Sequence, residues 1–152
     1  MKYSCHTMAI LFSAFFLLSA CATGSPKPQA SLYDRLGGKK AIDMVVNDFI
    51  DTVGNDQRIQ NPKVSDRLAA IDIDRLKGLV ADQVCMATGG PCDYQGKDMH
   101  SSHVGLDITN AEFDWVVDDL VKTLNQYKVP DPEQQELLAL LAPMRADIVQ
   151  AP

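Results

Sequence analysis

Apolar residues recur at intervals of three and four along most of the chain after residue 31, and they nowhere alternate with polar residues for long. This spacing is typical of amphipathic helices, because positions three or four apart share one helix face. No pattern of a parallel sheet, phosphate-binding loop or hydrolase nucleophile is present in the sequence. The chain is therefore predicted to be all-α.

Four long helices are predicted, with bounds of about 39–53, 72–87, 109–127 and 131–149. Asp72 is a suitable N-cap for the second helix, and Thr109 with Glu112 forms a capping box for the third. Asp131 is the predicted cap of the fourth helix, in which Pro143 should cause a kink.

The helix faces and the connection before the second helix are also predicted. The first helix should bury a wide apolar stripe that includes Phe49 and Ile50. Residues 59–64 contain Asn61-Pro62 and are interpreted as turn-like, followed by one helical turn at 65–70. The second helix should bury one face, with Leu79 and Gln83 at its margin; that face comprises Ile73, Leu76, Val80, Val84 and Ala87.

The N-terminus has the order of features found in bacterial lipoproteins. Lys2 precedes an apolar run at residues 8–18 that suits a signal peptide and is too short for an ordinary transmembrane helix. Leu18-Ser19-Ala20-Cys21 resembles a lipobox, so residues 1–20 are predicted to be removed and Cys21 to be lipidated. A plain secretory signal with an incidental cysteine is the alternative. Residues 21–31 then form a flexible tether, and 32–150 form one domain.

Lipidation would place the domain in the cell envelope. Several acyl chains on one cysteine anchor a protein stably to a membrane, whereas one chain holds it only marginally. Ala22 follows the cysteine where an acidic residue would favour retention in the inner membrane. Resemblance to other lipoproteins therefore favours the outer membrane, with the domain facing the periplasm or the cell surface.

The charge of the chain excludes one class of partner, and its cysteines fit an oxidising compartment. With 20 acidic against 14 basic residues, the net charge of −6 argues against nucleic-acid binding, which needs concentrated Lys and Arg. Cys85 and Cys92 are an even pair on either side of a Gly89-Gly90-Pro91 bend, and they are predicted to form a disulfide. Zinc is disfavoured because the cysteine and histidine spacings match no usual zinc pattern.

Residues 85–108 hold this cysteine pair, a double glycine and two histidines, His100 and His103. Histidine spacing alone does not identify a metal site, since a single histidine on a helix is more often solvated or structural. A stronger indication comes from short sequence pieces in a fixed order. They are Tyr33-Asp34-Arg35-Leu36-Gly37-Gly38, Ala41-Ile42, Val45-Val46, Asp48-Phe49, Arg75-Leu76-Lys77, Thr88-Gly89-Gly90-Pro91, Tyr94, Gly96, Met99, His103, Gly105, Ile108-Thr109, Phe113 and Leu141-Ala142-Pro143.

In these pieces and their order, residues 31–149 resemble a group I truncated haemoglobin. The resemblance implies a two-over-two helical sandwich around haem b, with His103 as the proximal iron ligand and His100 as the rival candidate. The carbonyl near Met99 would accept a hydrogen bond from His103 and fix its tautomer. Tyr94 would lie near the haem edge, where family members often bond a propionate. The other expected cofactor contacts are Phe49, Ile50, Leu68, Leu76, Lys77, Val80 and Met99.

The distal side departs from the family. Ile50 follows Phe49 where many members have a tyrosine that bonds to oxygen, and helix positions that often carry glutamine or histidine are Leu76, Leu79 and Val80. Gln83 is either solvated or directed at the pocket. The phenylalanine that commonly wedges the haem is absent: Leu68 occupies its place when counted back from Asp72, and Pro62 when counted forward. The connection before that helix is longer than usual.

These observations favour a lipid-anchored, haem-binding globin that reversibly binds oxygen, NO or CO, for oxygen handling or NO removal. An aliphatic pocket predicts weaker oxygen retention. No catalytic residue is assigned, and an NO dioxygenase-type activity is left open because it needs an electron donor that the sequence does not identify. Two alternatives remain: a haem-based sensor or redox partner, and a binding lipoprotein with a globin-like fold and no haem.

Overall fold

A computed structural model describes residues 30–151. The predicted signal segment, Cys21 and most of the tether lie outside the described residues. The described part is helical, as predicted, and its one β-type pairing is an isolated bridge between Thr109 and Ala151. Its elements are α1 (Leu32–Arg35), α2 (Gly38–Gly54), α3 (Pro62–Ala70), α4 (Ile73–Ala87), α5 (Met99–His103), α6 (Asn110–Gln126), α7 (Asp131–Leu141), a 3-10 turn (Ala142–Met144) and α8 (Arg145–Ile148).

The predicted caps of α4 and α6 are present. The Asp72 carboxylate accepts hydrogen bonds from the backbone N–H groups of Asp74 and Arg75, each at 3.1 Å. The Thr109 hydroxyl accepts from the Glu112 N–H at 3.2 Å, and the Glu112 carboxylate accepts from the Thr109 N–H at 2.8 Å. Each cap satisfies backbone donors that the first helical turn leaves without a partner.

The prediction for the segment before α4 was wrong. Residues 62–70 form a continuous nine-residue helix, α3, rather than a turn followed by one helical turn. Asn61 caps α3 by accepting a hydrogen bond from the Lys63 N–H at 3.0 Å. Pro62 is the first helical residue, where its fixed φ is favourable and its missing N–H costs nothing.

The last predicted helix is divided in two. Pro130, rather than Asp131, is at the N-cap of α7, and Asp131 is the first helical residue. Pro143 lies in the 3-10 turn that separates α7 from α8, so the predicted kink is an interruption. A proline inside a helix removes a backbone donor and clashes with the preceding turn, which accounts for the break.

The core has two buried clusters. In the first, α2 packs against α4 through Ile42, Val46, Ala81 and Cys85. In the second, α1, α6 and α7 meet at Leu32, Leu124 and Leu137.

The buried face of α4 is rotated from the predicted one. It is centred on Ala81 and Cys85, which are 1% and 0% exposed, whereas Ile73 is 38% exposed. Small side chains at the centre of a helix contact allow close approach of the two backbones, and the larger Leu76 and Val80 are consequently only half-buried at its edge.

Cys85 and Cys92 are joined by a disulfide, with their Cα atoms 5.8 Å apart. The loop between them passes tightly over α1. A Cβ atom added at Gly90 would lie 2.4 Å from the Tyr33 ring and 2.7 Å from the Cys85 sulfur. The Tyr33 N–H also donates to the Thr88 carbonyl at 2.9 Å. Glycine at position 90 is therefore required for the loop to close against α1.

No helix within residues 30–151 has the length and apolar character needed to cross a membrane.

An acidic side chain on α6 is buried, which the sequence pattern did not predict. Asp119 is 4% exposed; one carboxylate oxygen lies 3.3 Å from the Arg58 guanidinium, and the other has no hydrogen-bond partner among the described residues. Burial raises the pKa of Asp119, and the neighbouring Asp56 carboxylate raises this pKa further, against the opposing effect of Arg58. The ionised form of Asp119 is therefore disfavoured in the folded state.

We expect Asp119→Asn to stabilise the fold at neutral pH by about 1–3 kcal/mol, because the amide can donate to Asp56 where the carboxylate leaves a buried oxygen unpaired. A folded-state pKa above the unfolded one contributes stability that is lost as the pH rises through the folded pKa. The advantage of the variant should therefore shrink towards acid pH and disappear below the unfolded pKa. Urea unfolding at a series of pH values measures this dependence.

Asp118→Asn is the control, since Asp118 contacts the same guanidinium at 3.2 Å but its side chain is 65% exposed. It should change stability little. A loss of stability in Asp119→Asn at neutral pH would mean that the ion pair with Arg58 outweighs the unpaired oxygen.

Candidate functional site

The helix that carries His103 has only five residues and depends on its cap. The Asp98 carboxylate accepts hydrogen bonds from the Ser101 N–H at 2.8 Å and the Ser101 hydroxyl at 2.7 Å. These bonds, the backbone one first, lower the pKa of Asp98 and keep it ionised at the helix N-terminus. This cap was not predicted from the sequence, although aspartate is one of the residues preferred at a helix N-cap.

His103 is held in one orientation by the helix itself. Its Nδ1 atom lies 2.7 Å from the Met99 carbonyl oxygen, one turn earlier. Because a carbonyl only accepts, the Nδ1–H donates, and in the neutral ring the lone pair is then on Nε2. This is the bond anticipated from the sequence. His103 is half-buried, whereas His100 is exposed.

The residues around His103 suit a haem. An imidazole with a fixed tautomer and an available Nε2 lone pair is a usual axial ligand of haem iron. Apolar side chains on α2, α3, α4 and α5 are half-buried, as side chains that line a site for a flat apolar group would be. These half-buried side chains are Phe49, Ile50, Leu68, Leu76, Leu79, Val80 and Met99.

The predicted distal residues come together from two helices. Ile50 of α2 and Val80 of α4 both pack against the buried cluster at the crossing of these helices. Neither side chain contains a polar atom, and the same is true of Leu76 and Leu79. These four side chains therefore offer no hydrogen-bond donor to a bound ligand.

Gln83 is not directed into solvent. Its half-buried amide nitrogen lies 3.6 Å from the Met99 sulfur and 3.9 Å from the Met144 sulfur. Gln83 therefore links α4 to the helix of His103 and to the 3-10 turn after α7. The sequence could not indicate this link, because it depends on how three separate elements pack.

Lys77 and Tyr94, the predicted polar contacts of the cofactor, both bond within the protein. The Lys77 side chain is 14% exposed, and its ammonium lies 2.6 Å from the Asp51 carboxylate. The Tyr94 hydroxyl donates to the Lys97 carbonyl at 2.7 Å. Burial, followed by the charge of Asp98, raises the pKa of Tyr94, so its hydroxyl stays protonated. Their contact with a propionate stays a prediction.

The spacing of Tyr94 and Gly96 has a steric reason. A Cβ atom at Gly96 would lie 2.2 Å from the Tyr94 hydroxyl oxygen and 2.3 Å from the adjoining ring carbon. The tyrosine ring thus folds back over a glycine, and a larger residue at position 96 would displace it.

A polar cleft of about 770 Å³ lies elsewhere, between the end of α2 and α6, and includes Asp56, Arg58 and Asp119. None of the predicted cofactor contacts lines it. Its polar lining does not suit an apolar cofactor, and the chemistry of the His103 region identifies that region as the candidate site.

Comparisons with known proteins identify the family of the chain. The family model described as "Bacterial-like globin" matches residues 31–150. The chain is 34% identical over 119 residues to the group 1 truncated hemoglobin GlbN of Mycolicibacterium paratuberculosis, an alignment that covers 78% of this chain and 84% of that protein. It is 30% identical over 123 residues to the group 1 truncated hemoglobin of Tetrahymena pyriformis, covering 81% and 97% of the two chains.

Solved structures give the same result. The Fe(III) form of the Tetrahymena pyriformis truncated hemoglobin aligns with a TM-score of 0.71 at 28% identity, covering 79% of this chain and 98% of that one. The 2/2 hemoglobin of Synechococcus sp. PCC 7002, in the cyanomet state with covalently attached heme, aligns with a TM-score of 0.69 at 28% identity, with the same coverage. By sequence and by fold, the chain belongs to the bacterial-like globin family and is a group I truncated haemoglobin.

Proposed function

We propose that this globin binds haem b through His103 and takes up a diatomic gas while tethered to the cell envelope. Family membership implies haem binding, and the bond between His103 Nδ1 and the Met99 carbonyl, at 2.7 Å, is the observation that supports His103 as the ligand. When bound, haem would supply an iron that takes the imidazole of His103 and a small gas as ligands.

The residues of the chain have separate tasks in this proposal. His103 presents Nε2 to the iron, and the Met99 carbonyl increases the basicity of the ring by accepting its other N–H. The half-buried apolar side chains of α2 and α4 exclude water from the faces of the ring. Lys77 and Tyr94 would bond to the propionates, Lys77 by exchanging Asp51 for a propionate as its partner.

The distal residues favour gases that need no hydrogen bond. Oxygen polarises when it binds and is retained better when a donor stabilises it, whereas NO and CO polarise less. Ile50 and Val80 provide no donor. We infer faster loss of oxygen than in a globin with a distal tyrosine and a role in oxygen handling or NO removal, with reduction by an unidentified electron donor.

Envelope attachment rests on two features of the chain. The sequence at residues 18–21 resembles a lipobox, and Cys85 and Cys92 form a disulfide, which persists in oxidising compartments. Lipidation of Cys21 would leave residues 22–31 as a spacer between the membrane and α1. The outer membrane is the favoured location because Ala22 follows the lipidated cysteine.

His103→Ala should abolish stable haem binding, because the variant has no imidazole at the only position where the helix orients one toward the site. Haem is added to the purified domain, residues 22–152, and the Soret band is measured after gel filtration. His100→Ala is the matched control and should retain the band, since His100 is exposed. Retention of haem by His103→Ala together with loss by His100→Ala would reverse the assignment. A wild-type domain with no Soret band would favour a haem-free binding lipoprotein.

Ile50→Tyr should slow oxygen dissociation roughly tenfold to a hundredfold, since a charge-assisted hydrogen bond contributes about 1.5–3 kcal/mol. Stopped-flow mixing of the oxygenated protein with excess CO measures the rate. Ile50→Phe adds the ring without the hydroxyl and controls for volume. If wild-type oxygen loss is already as slow as in Ile50→Tyr, the distal side contains a donor that the present assignment omits.

Cys21→Ser should abolish the incorporation of labelled palmitate, because the thiol that would carry the lipid is absent. Incorporation of labelled palmitate, followed by fractionation of the inner and outer membranes, provides the measurement. Wild-type protein that carries no label and is soluble in the periplasm would instead identify a plain secretory signal.

A further inference from the structure

The α3 segment, which precedes α4, makes polar contacts with the chain on either side of His103. Asn61 Nδ2 donates to the Leu106 carbonyl at 2.9 Å, and Arg67 donates to the Ser102 carbonyl at 3.4 Å. Lys63 forms an ion pair with the Asp107 carboxylate. We call these three residues of the α3 segment the α3 strap: Asn61, Lys63 and Arg67. The strap contacts the chain on both sides of His103.

The Asn61 amide uses both of its ends. Its Oδ1 accepts a hydrogen bond from the Lys63 N–H at 3.0 Å and so caps α3, while its Nδ2 donates to Leu106. Because each end has a partner on a different segment, the side chain fixes the start of α3 against the loop after His103. A residue that only capped the helix would need the oxygen alone.

A second hydrogen bond continues this connection to the iron ligand. The Leu106 N–H donates to the His103 carbonyl at 3.1 Å, and Leu106 is 7% exposed. Two hydrogen bonds in series thus join Asn61 to the backbone of His103. On the other side, the Gln150 side chain accepts from the Gly105 N–H at 2.9 Å, and the Gln150 N–H donates to the Ile108 carbonyl at 2.9 Å. The loop is held between α3 and the C-terminal segment.

The three members of the strap are not equivalent. Lys63 and Asp107 are 53% and 58% exposed, and an ion pair in that setting contributes little. The Arg67 bond is long and solvent-exposed. The Asn61 bond is shorter than the Arg67 bond, partly buried and directed at a carbonyl of a buried residue, where loss of a partner is costly. Asn61 is therefore the member most able to constrain the loop.

We propose that Asn61 is a positioning residue for the proximal ligand: through Leu106 it fixes the orientation of α5 and hence the bond that His103 makes to haem iron. This inference rests on the proposed function of His103. The proposal also gives a role to α3, the helix formed by the lengthened connection before α4. Through Asn61, this helix holds the loop that follows His103.

Asn61→Asp tests the proposal selectively. The carboxylate can still cap α3, but it has no N–H to donate to Leu106. In the purified holoprotein we expect haem transfer to excess apomyoglobin to become roughly tenfold faster, as loss of a hydrogen bond to a buried carbonyl implies. In the reduced protein, the resonance Raman band of the iron–histidine stretch should shift and broaden, because the imidazole is less constrained. Asn61→Ser, which keeps a capping hydroxyl and adds no charge, should give the same two changes.

The matched control is Asn55→Asp. Asn55 follows α2, and its Nδ2 donates to the Asp51 carbonyl at 2.6 Å, so the substitution removes the same type of bond and adds the same charge away from α5. It should leave the iron–histidine band unchanged. Lys63→Gln removes the exposed ion pair of the strap and should also leave the band unchanged.

The outcomes separate the two proposals. A normal Soret band with an unshifted iron–histidine band in both Asn61 variants would overturn the positioning role alone. Equal changes in Asn61→Asp and Asn55→Asp would also overturn it, since they would reflect general destabilisation. If wild-type protein binds no haem, or if His103→Ala retains it, the proposed function fails and this inference fails with it.

Discussion

The site depends on a single constraint: a five-residue helix must hold His103 in a fixed position. Such a helix is not stable on its own, because nucleating the first turn fixes several residues in return for one hydrogen bond. Contacts from outside the helix must therefore supply its stability. The Asp98 cap fixes its start, and the internal bond from His103 to the Met99 carbonyl fixes the imidazole ring. The remaining constraints come from segments distant in the sequence.

Those distant constraints begin with the loop between α4 and α5. The disulfide between Cys85 and Cys92 joins the last turns of α4 to this loop, and Gly90 lets the loop pass against Tyr33. Closing a loop of this size contributes about 2 kcal/mol in the chain-entropy model. The disulfide therefore limits where α5 can begin, while contacts from α3 and from the C-terminal segment limit where the chain goes after His103.

The sequence was sufficient to predict the first three long helices, the caps at Asp72 and Thr109, and the disulfide, because each depends on residues close together in the sequence. It was insufficient for α3, since Pro62 was interpreted as a breaker although it follows a capping asparagine. The burial of Asp119 and the contacts of Gln83 depend on packing between separate helices, which spacing does not reveal. The buried face of α4 was predicted wrongly because Ala81 and Cys85 are small and only weakly apolar, although they lie where α4 packs against α2.

Polar groups near the site are distributed unequally. Asp98, Tyr94, Asn61 and Gln83 all contact the chain between residues 97 and 106, which contains His103. On α2 and α4, the residues expected to face the bound gas, among them Ile50 and Val80, have purely aliphatic side chains. A hydrogen-bond donor beside the gas stabilises a strongly polarised gas more than a weakly polarised one. A constraint on the imidazole instead changes the affinity of the iron for every gas alike. Under the proposed function, the affinity for gas would therefore be set mainly from the proximal side, and discrimination between gases would depend on their intrinsic affinity for iron.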